Sequence, residues 1–403
     1  MAHSRLSLTV LLALAACQTY EFQPDPPFTW EVAIAHEDLA ATAPKPNLFF
    51  LVDKSGSMAL SADLDPSCGS NCISRWDALT DAMEKFASNS GTVAHTGMLA
   101  FPKAPMSDAC QPPEIADLDG LGVALDGSAV DDDAVLQQKS DEVLAKIREL
   151  VPRGGTPTAF SVRALAQYTP LVRPAYRRAS FVVLMTDGLP NCNPAHNAEL
   201  STCYCTSTAD QGSCRAQMGA PPNNQCLDDS GTAAEIAFLL EHYGVRTIVV
   251  GFGTDVTGSV GQNTLDAMAR AGGFQRPCQS NADCGVGDSC APGGTDACGR
   301  PITSCTRGFY QAANAVELGD ALTEIRDQIS CDPCSRALPA TPKDARLVSV
   351  IIDGTPVLPG PERWSVVGSN VVFAANGDIC RRIRAATLLD PLKAEFRVAN
   401  PIE

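Results

Sequence analysis

Asp53-Lys54-Ser55-Gly56-Ser57 follows directly on the apolar run Leu48-Phe49-Phe50-Leu51-Val52. A strand that buries its side chains and then ends in a carboxylate calls for a cation, because buried charges are normally paired or coordinate metals. Two later segments supply further oxygens. Thr156 lies in Gly154-Gly155-Thr156-Pro157-Thr158, and Asp187 follows the apolar run Phe181-Val182-Val183-Leu184-Met185 in Thr186-Asp187-Gly188. Two Asp, two Ser and one Thr form a hard oxygen set of the kind Mg2+ prefers, with Ca2+ or Mn2+ as alternatives. Gly56 permits a tight turn that aims both serines at one ion. Thr158 sits two residues deeper into a helix start and is the weaker donor. Taken singly, each of the five also reads as structural, since Ser, Thr and Asp are common helix caps.

These residues need a frame that brings them together. Strand patterns at 48–52, 93–101, 181–185, 247–251 and 308–312 alternate with helical patterns at 75–87, 131–150, 160–168, 233–242, 264–271 and 315–329. Such alternation predicts an α/β fold, a doubly wound, mainly parallel sheet covered on both faces. Ligands of such sheets bind beyond the carboxyl ends of the strands, where Asp53 and Asp187 both fall. Three cysteine-rich insertions interrupt the pattern. Those at 59–74 and 189–230 follow strands and are expected on the same rim as the metal. They carry Cys68, Cys72, Cys192, Cys203, Cys205, Cys214 and Cys226, which Cys110 could join. The third, at 277–306, precedes the last strand and is expected on the opposite rim. All read as disulfide-stapled loops.

The Asp-x-Ser-x-Ser run after the first strand, the Thr in a Gly-rich loop and the Asp after a central strand together resemble a von Willebrand factor type A (vWA) domain with a metal ion-dependent adhesion site. The resemblance spans about 47–330 and matches at Asp53, Ser55, Ser57, Thr156 and Asp187. It implies that the three hydroxyls bind Mg2+ directly and that the two carboxylates bind directly or through water. It also implies that the remaining position receives an acidic side chain of a protein ligand. Residues 331–403 read as a small all-β module with a hairpin turn at Asp353-Gly354, tied to the hinge by Cys380. Cys331 and Cys334 would anchor the end of the last helix, which predicts a stiff domain.

The first sixteen residues have a positive start at Arg5, a short apolar core and a small-residue end, as in a signal peptide. Leu14-Ala15-Ala16-Cys17 resembles a bacterial lipobox, which implies lipidation at Cys17, a tether over 17–46 and membrane attachment through the lipid. Of 17 cysteines, 16 then remain for pairing in an oxidising compartment. Gln18 after the cysteine suggests the outer membrane. Cleavage after Ala15 with plain secretion is the alternative.

A net charge of −16 argues against a nucleic-acid partner. Enzyme readings find little. The position two residues after Asp53, where a phosphoryl-transfer enzyme of the haloacid dehalogenase type needs a second carboxylate, is Ser55. There is no Gly-x-x-x-x-Gly-Lys-Ser/Thr loop and no Gly-x-Ser-x-Gly elbow. His196 beside Cys192 and Cys203 could ligate zinc, and Asp283 with Asp288 could hold Ca2+, but disulfides and solvated loop charges explain both. The sequence therefore points to a non-enzymatic cell-surface lipoprotein that binds a protein or other acidic ligand through Mg2+. The alternatives are an envelope assembly protein with a structural metal and, less favoured, an extracytoplasmic enzyme.

Overall fold

The computed structural model describes residues 30–39, 45–61, 73–105, 107–128, 131–175, 178–193, 203–206, 224–253, 258–285, 287–295, 301–312, 314–329, 334–368, 370–374, 377–386 and 390–401. The signal segment 1–16, Cys17, Cys68, Cys72, His196, Cys214, Cys298 and Cys331 lie outside the described residues.

The central element is β2 (Asn47–Asp53), all seven of whose residues are buried. Its near-continuous apolar run is what a parallel strand covered on both faces requires. β3 (His95–Phe101) and β5 (Ser180–Thr186) flank it in parallel, and β6 (Arg246–Phe252) and β9 (Tyr310–Ala312) continue the sheet beyond β5. The two-residue β4 (Gly122–Val123) closes the other edge antiparallel to β3, giving the order β4-β3-β2-β5-β6-β9. Two residues are too few to leave a sequence pattern, so β4 was not anticipated.

Alternate residues of β2 feed two separate cores. Leu48, Phe50 and Val52 pack under α1 (Arg75–Ser90), α2 (Asp133–Glu149) and, further along the chain, the helix at Ala315–Ile329. Phe49 and Leu51 pack under α3 (Thr158–Leu165), α4 (Asp229–Tyr243) and α5 (Ser259–Gly272). The helix Ala315–Ile329 is α6. The result is a three-layer α/β/α unit with a mainly parallel sheet. α1 starts at a capping box in which the Ser74 hydroxyl accepts from the Asp77 N–H while the Asp77 carboxylate accepts from the Ser74 N–H.

A second unit takes its strands from both ends of the chain. β1 (Trp30–Leu39) pairs antiparallel with β15 (Leu392–Pro401) along its whole length. β15 pairs in turn with β11 (Val348–Ile352), and β11 with β12 (Thr355–Val357). The β11–β12 hairpin turns at Asp353-Gly354, both at positive φ (48° and 76°) as a two-residue primed turn demands. β10 (Ser335–Ala337), β13 (Trp364–Val367) and β14 (Asn370–Phe373) form a three-stranded sheet. Helix α7 (Asp378–Ala385) completes the unit, and Leu39, Trp364, Phe373, Ile383 and Phe396 meet in its core.

Two expectations are corrected here. The tether predicted over 17–46 contains a ten-residue strand at 30–39. Its larger apolar residues Trp30, Val32 and Ile34 face outward at about half exposure, while small Ala33 and Ala35 lie on the alternate face with buried Leu39. The usual apolar-in pattern is therefore inverted, and the strand signal is hidden. The C-terminal module is also not all-β, since α7 lies within it. Cys380 bonds Cys334, and both sulfurs lie in the core of this second unit, so the bond staples the unit internally rather than tying it to the hinge.

The insertions at 189–230 and 277–306 are cross-linked as expected. Cys203 bonds Cys226, and Cys205 is also disulfide-bonded. In the third insertion Cys278–Cys290 and Cys284–Cys305 staple the hairpin of β7 (Cys290–Thr295) and β8 (Pro301–Cys305). Of the first insertion, the described ends meet through a bridge between Ser61 and Ser74. No helix of the described residues is long and apolar enough to cross a membrane.

Candidate metal centre

The parallel register of β2 and β5 sets the site. Val52 stands opposite Met185, so the next residues, Asp53 and Thr186, meet at the carboxyl edge of the sheet. The Thr186 hydroxyl donates to Asp53 Oδ2 at 2.7 Å, and the Ser55 N–H donates to Asp53 Oδ1 at 2.8 Å. From there a chain of oxygens runs outward. Ser55 Oγ lies 2.9 Å from Ser57 Oγ, and the Ser57 hydroxyl donates to Asp187 Oδ1 at 3.0 Å. Four of the five sequence-predicted donors are thus joined in one hydrogen-bonded string. Asp53, Ser55 and Asp187 are buried and Ser57 is half-buried.

Thr156 comes to the same edge through the backbone. The Gly56 N–H donates to the Gly154 carbonyl at 2.9 Å, and the Arg153 N–H to the Lys54 carbonyl at 2.7 Å, which lays the Gly-Gly-Thr loop beside the serine turn. Asn191 clamps Thr156 from the other side. Its Oδ1 accepts from the Thr156 N–H at 2.7 Å, and its own N–H donates to the Thr156 carbonyl at 2.9 Å. The Cys110–Cys192 disulfide covers this loop. A Cβ at Gly155 would sit 2.5 Å from Cys192 Sγ, and Gly154 has φ +94°, so both glycines are sterically required. Cys110 does join the rim insertions, as the sequence allowed.

The electrostatics turn on two buried acids. Burial, and then the charge of Asp187, push Asp53 up to about 7, against the lowering effect of the hydrogen bonds from Thr186 and Ser55. Burial and the Arg153 guanidinium lower the Lys54 ammonium to about 8. Asp187 spends its second oxygen on Arg75, whose Nη1 lies 2.6 Å from Oδ2, with the two side chains 3% and 0% exposed.

The donor set fits a hard divalent cation. Two carboxylates and two hydroxyls share one short string, Asp53 is strained toward protonation in its absence, and Thr156 stands on the adjoining loop. Sequence reasoning missed three contributors. Thr186 could have been found from the register, since it precedes Asp187 on the strand beside Asp53. Asn191 and Arg75 leave no such signal, because each reaches the site from a different segment. The other candidates do not form sites among the described residues. Cys192 and Cys203 are consumed in disulfides, and so are Cys278, Cys284 and Cys305, whose sulfurs cluster. Asp283 accepts from the Gln279 and Ser280 N–H groups, and Asp288 from those of Ser289 and Arg307, so both brace their loop.

No family model matches the chain, and no curated protein matches it. Solved structures with some likeness include the pilus adhesin SpaC of Lactobacillus rhamnosus GG, at 13% identity and TM-score 0.41, covering 93% of this chain and 42% of that one. Another is the vWF domain of the type V pili tip protein Mfa5 from Porphyromonas gingivalis, at 13% identity and TM-score 0.37, covering 72% and 96%. A third is the manganese-loaded TRAP protein of Plasmodium vivax, at 14% and 0.35, covering 75% and 78%. The chain spans less than half the length of SpaC. All three TM-scores lie below 0.5, so the functional reading has to stand on the geometry of the site itself.

Proposed function

We propose that the chain is a cell-surface protein with a vWA-type domain that captures a protein ligand through a divalent cation, Mg2+ by donor preference, held by Asp53, Ser55, Ser57, Thr156 and Asp187. The observation that carries this reading is the string from Asp53 through Ser55 and Ser57 to Asp187 at the carboxyl edge of a parallel sheet. Hydroxyl donors leave a bound cation electrophilic, and Mg2+ keeps exchangeable positions that an incoming carboxylate can take. The residues of this chain fix the donors: Asn191 and the Cys110–Cys192 bond hold the Thr156 loop, and Thr186 holds Asp53. Lipidation at Cys17 and outer-membrane attachment belong to the same proposal, supported by the lipobox resemblance and the paired cysteines.

The test is capture of a partner from cell-envelope extract with Mg2+ or with chelator, using wild type and Asp53→Ala. The expected outcome is capture that needs Mg2+ and is lost in the variant while its circular dichroism is unchanged. Capture indifferent to chelator would remove the adhesive reading. It would favour the second one, a structural role in envelope assembly, for which the Arg75 pair on Asp187 speaks, since it satisfies one acid internally.

A further inference from the structure

Arg75 is the first residue of α1, where a cation opposes the helix dipole. It is nevertheless buried, and its guanidinium is fixed on three sides. Nη1 binds Asp187 Oδ2, Nε donates to the Ser61 carbonyl at 3.3 Å, and a Cβ at Gly253 would come within 2.8 Å of Nε. Gly253 follows β6, so three elements converge to place one positive charge against a metal donor. Lys54 is a second buried cation, beside Asp53, whereas Arg75 is the one ion-paired with Asp187.

We infer that Arg75 tunes the charge of the metal centre: by adding a positive charge against Asp187 it weakens metal binding and makes the loaded site more positive, which favours an anionic ligand. This rests on the metal-centre reading above. With both acids ionised and Lys54 charged beside Asp53, the four groups Asp53, Asp187, Lys54 and Arg75 balance, and a divalent cation then leaves the centre positive, with Arg75 supplying one unit of that charge. Without Arg75 the loaded centre carries one positive charge fewer, and an incoming carboxylate loses that share of its Coulombic attraction in a weakly screened setting. Arg75 engages Asp187 Oδ2 while the Ser57 hydroxyl donates to Oδ1, so the pair holds the carboxylate in a fixed orientation beside the serine turn. Arg75 is therefore a positioning and selectivity residue that acts through Asp187.

The test is calorimetric titration of the full chain with Mn2+ alone, comparing wild type, Arg75→Gln and Arg75→Lys. Gln keeps a hydrogen-bond donor for Asp187 and removes the charge, whereas Lys keeps the charge. The expected result is Mn2+ binding about tenfold tighter in R75Q, with R75K within about threefold of wild type. Equal or weaker binding by a folded R75Q, with wild type binding normally, overturns the role of Arg75 and leaves the metal centre standing. No Mn2+ uptake by wild type removes both. Should R75Q fail to fold without metal, the inference requires that Mn2+ restore its far-ultraviolet dichroism, and failure to restore it overturns the inference.

Discussion

Asp53 is the residue on which the centre's response to pH depends. Its folded value of about 7 lies above the ordinary carboxylate value of 3.8, so folding takes up a proton across that window. In chelator, stability from this group is therefore present at low pH, declines as pH rises from about 4 to about 7, and is fully lost above. The melting temperature of metal-free protein should fall across that range. Asp53→Asn should flatten the fall, and saturating Mg2+ should reverse it only where Asp53 is ionised. Thermal melts at several pH values, with and without Mg2+, read all three. Asp187 differs, because its charge is paired. Asp187→Ala leaves Arg75 buried without that partner and should destabilise by about 3–5 kcal/mol even in chelator, measured by denaturant titration. The oxygen side chains of the string were legible because hydroxyls and carboxylates at strand ends are conspicuous among apolar runs. Arg75 was not, because Ser74-Arg75-Trp76-Asp77 reads only as a capped helix start.

At the scale of elements, the site is a meeting of loops that β2, β3 and β5 deliver to one rim. Cys110 follows β3 and Cys192 follows β5, and their bond spans 82 residues across the Gly-Gly-Thr loop. Closing so long a loop stabilises by roughly 4 kcal/mol in the chain-entropy account. Cys110→Ser should therefore lower stability and also speed hydrogen exchange at the Gly155 and Thr156 amides, which donate to Ala109 and Asn191. Unchanged exchange at those two amides would mean that Asn191 alone holds the loop. The strands themselves were legible from their apolar runs. The sulfur pairing was not, since spacing leaves many connectivities open, and only the approach of two loops in space selects one.

For the whole molecule, the order of strands along the chain is a poor guide to which unit they join. β1 precedes the parallel sheet in sequence yet belongs with β15 near the other terminus. The chain thus leaves the antiparallel unit, builds the three-layer unit and returns. Deleting residues 30–39 should expose the β15 edge and remove Leu39 from its core. Limited proteolysis should then cut within 335–401 while Mg2+ uptake by the three-layer unit persists. Loss of both together would show that the two units fold as one.

From the sequence alone came the hydroxyl and carboxylate side chains at the strand ends, the alternation of strands and helices, and the sheet edge at which those side chains meet, because burial periodicity and strand direction are local properties of the chain. Tertiary structure decided the charge that balances Asp187, the partners of the cysteines and the destination of residues 30–39. Each of these is a contact between segments far apart in sequence, and no local pattern encodes which distant segment arrives.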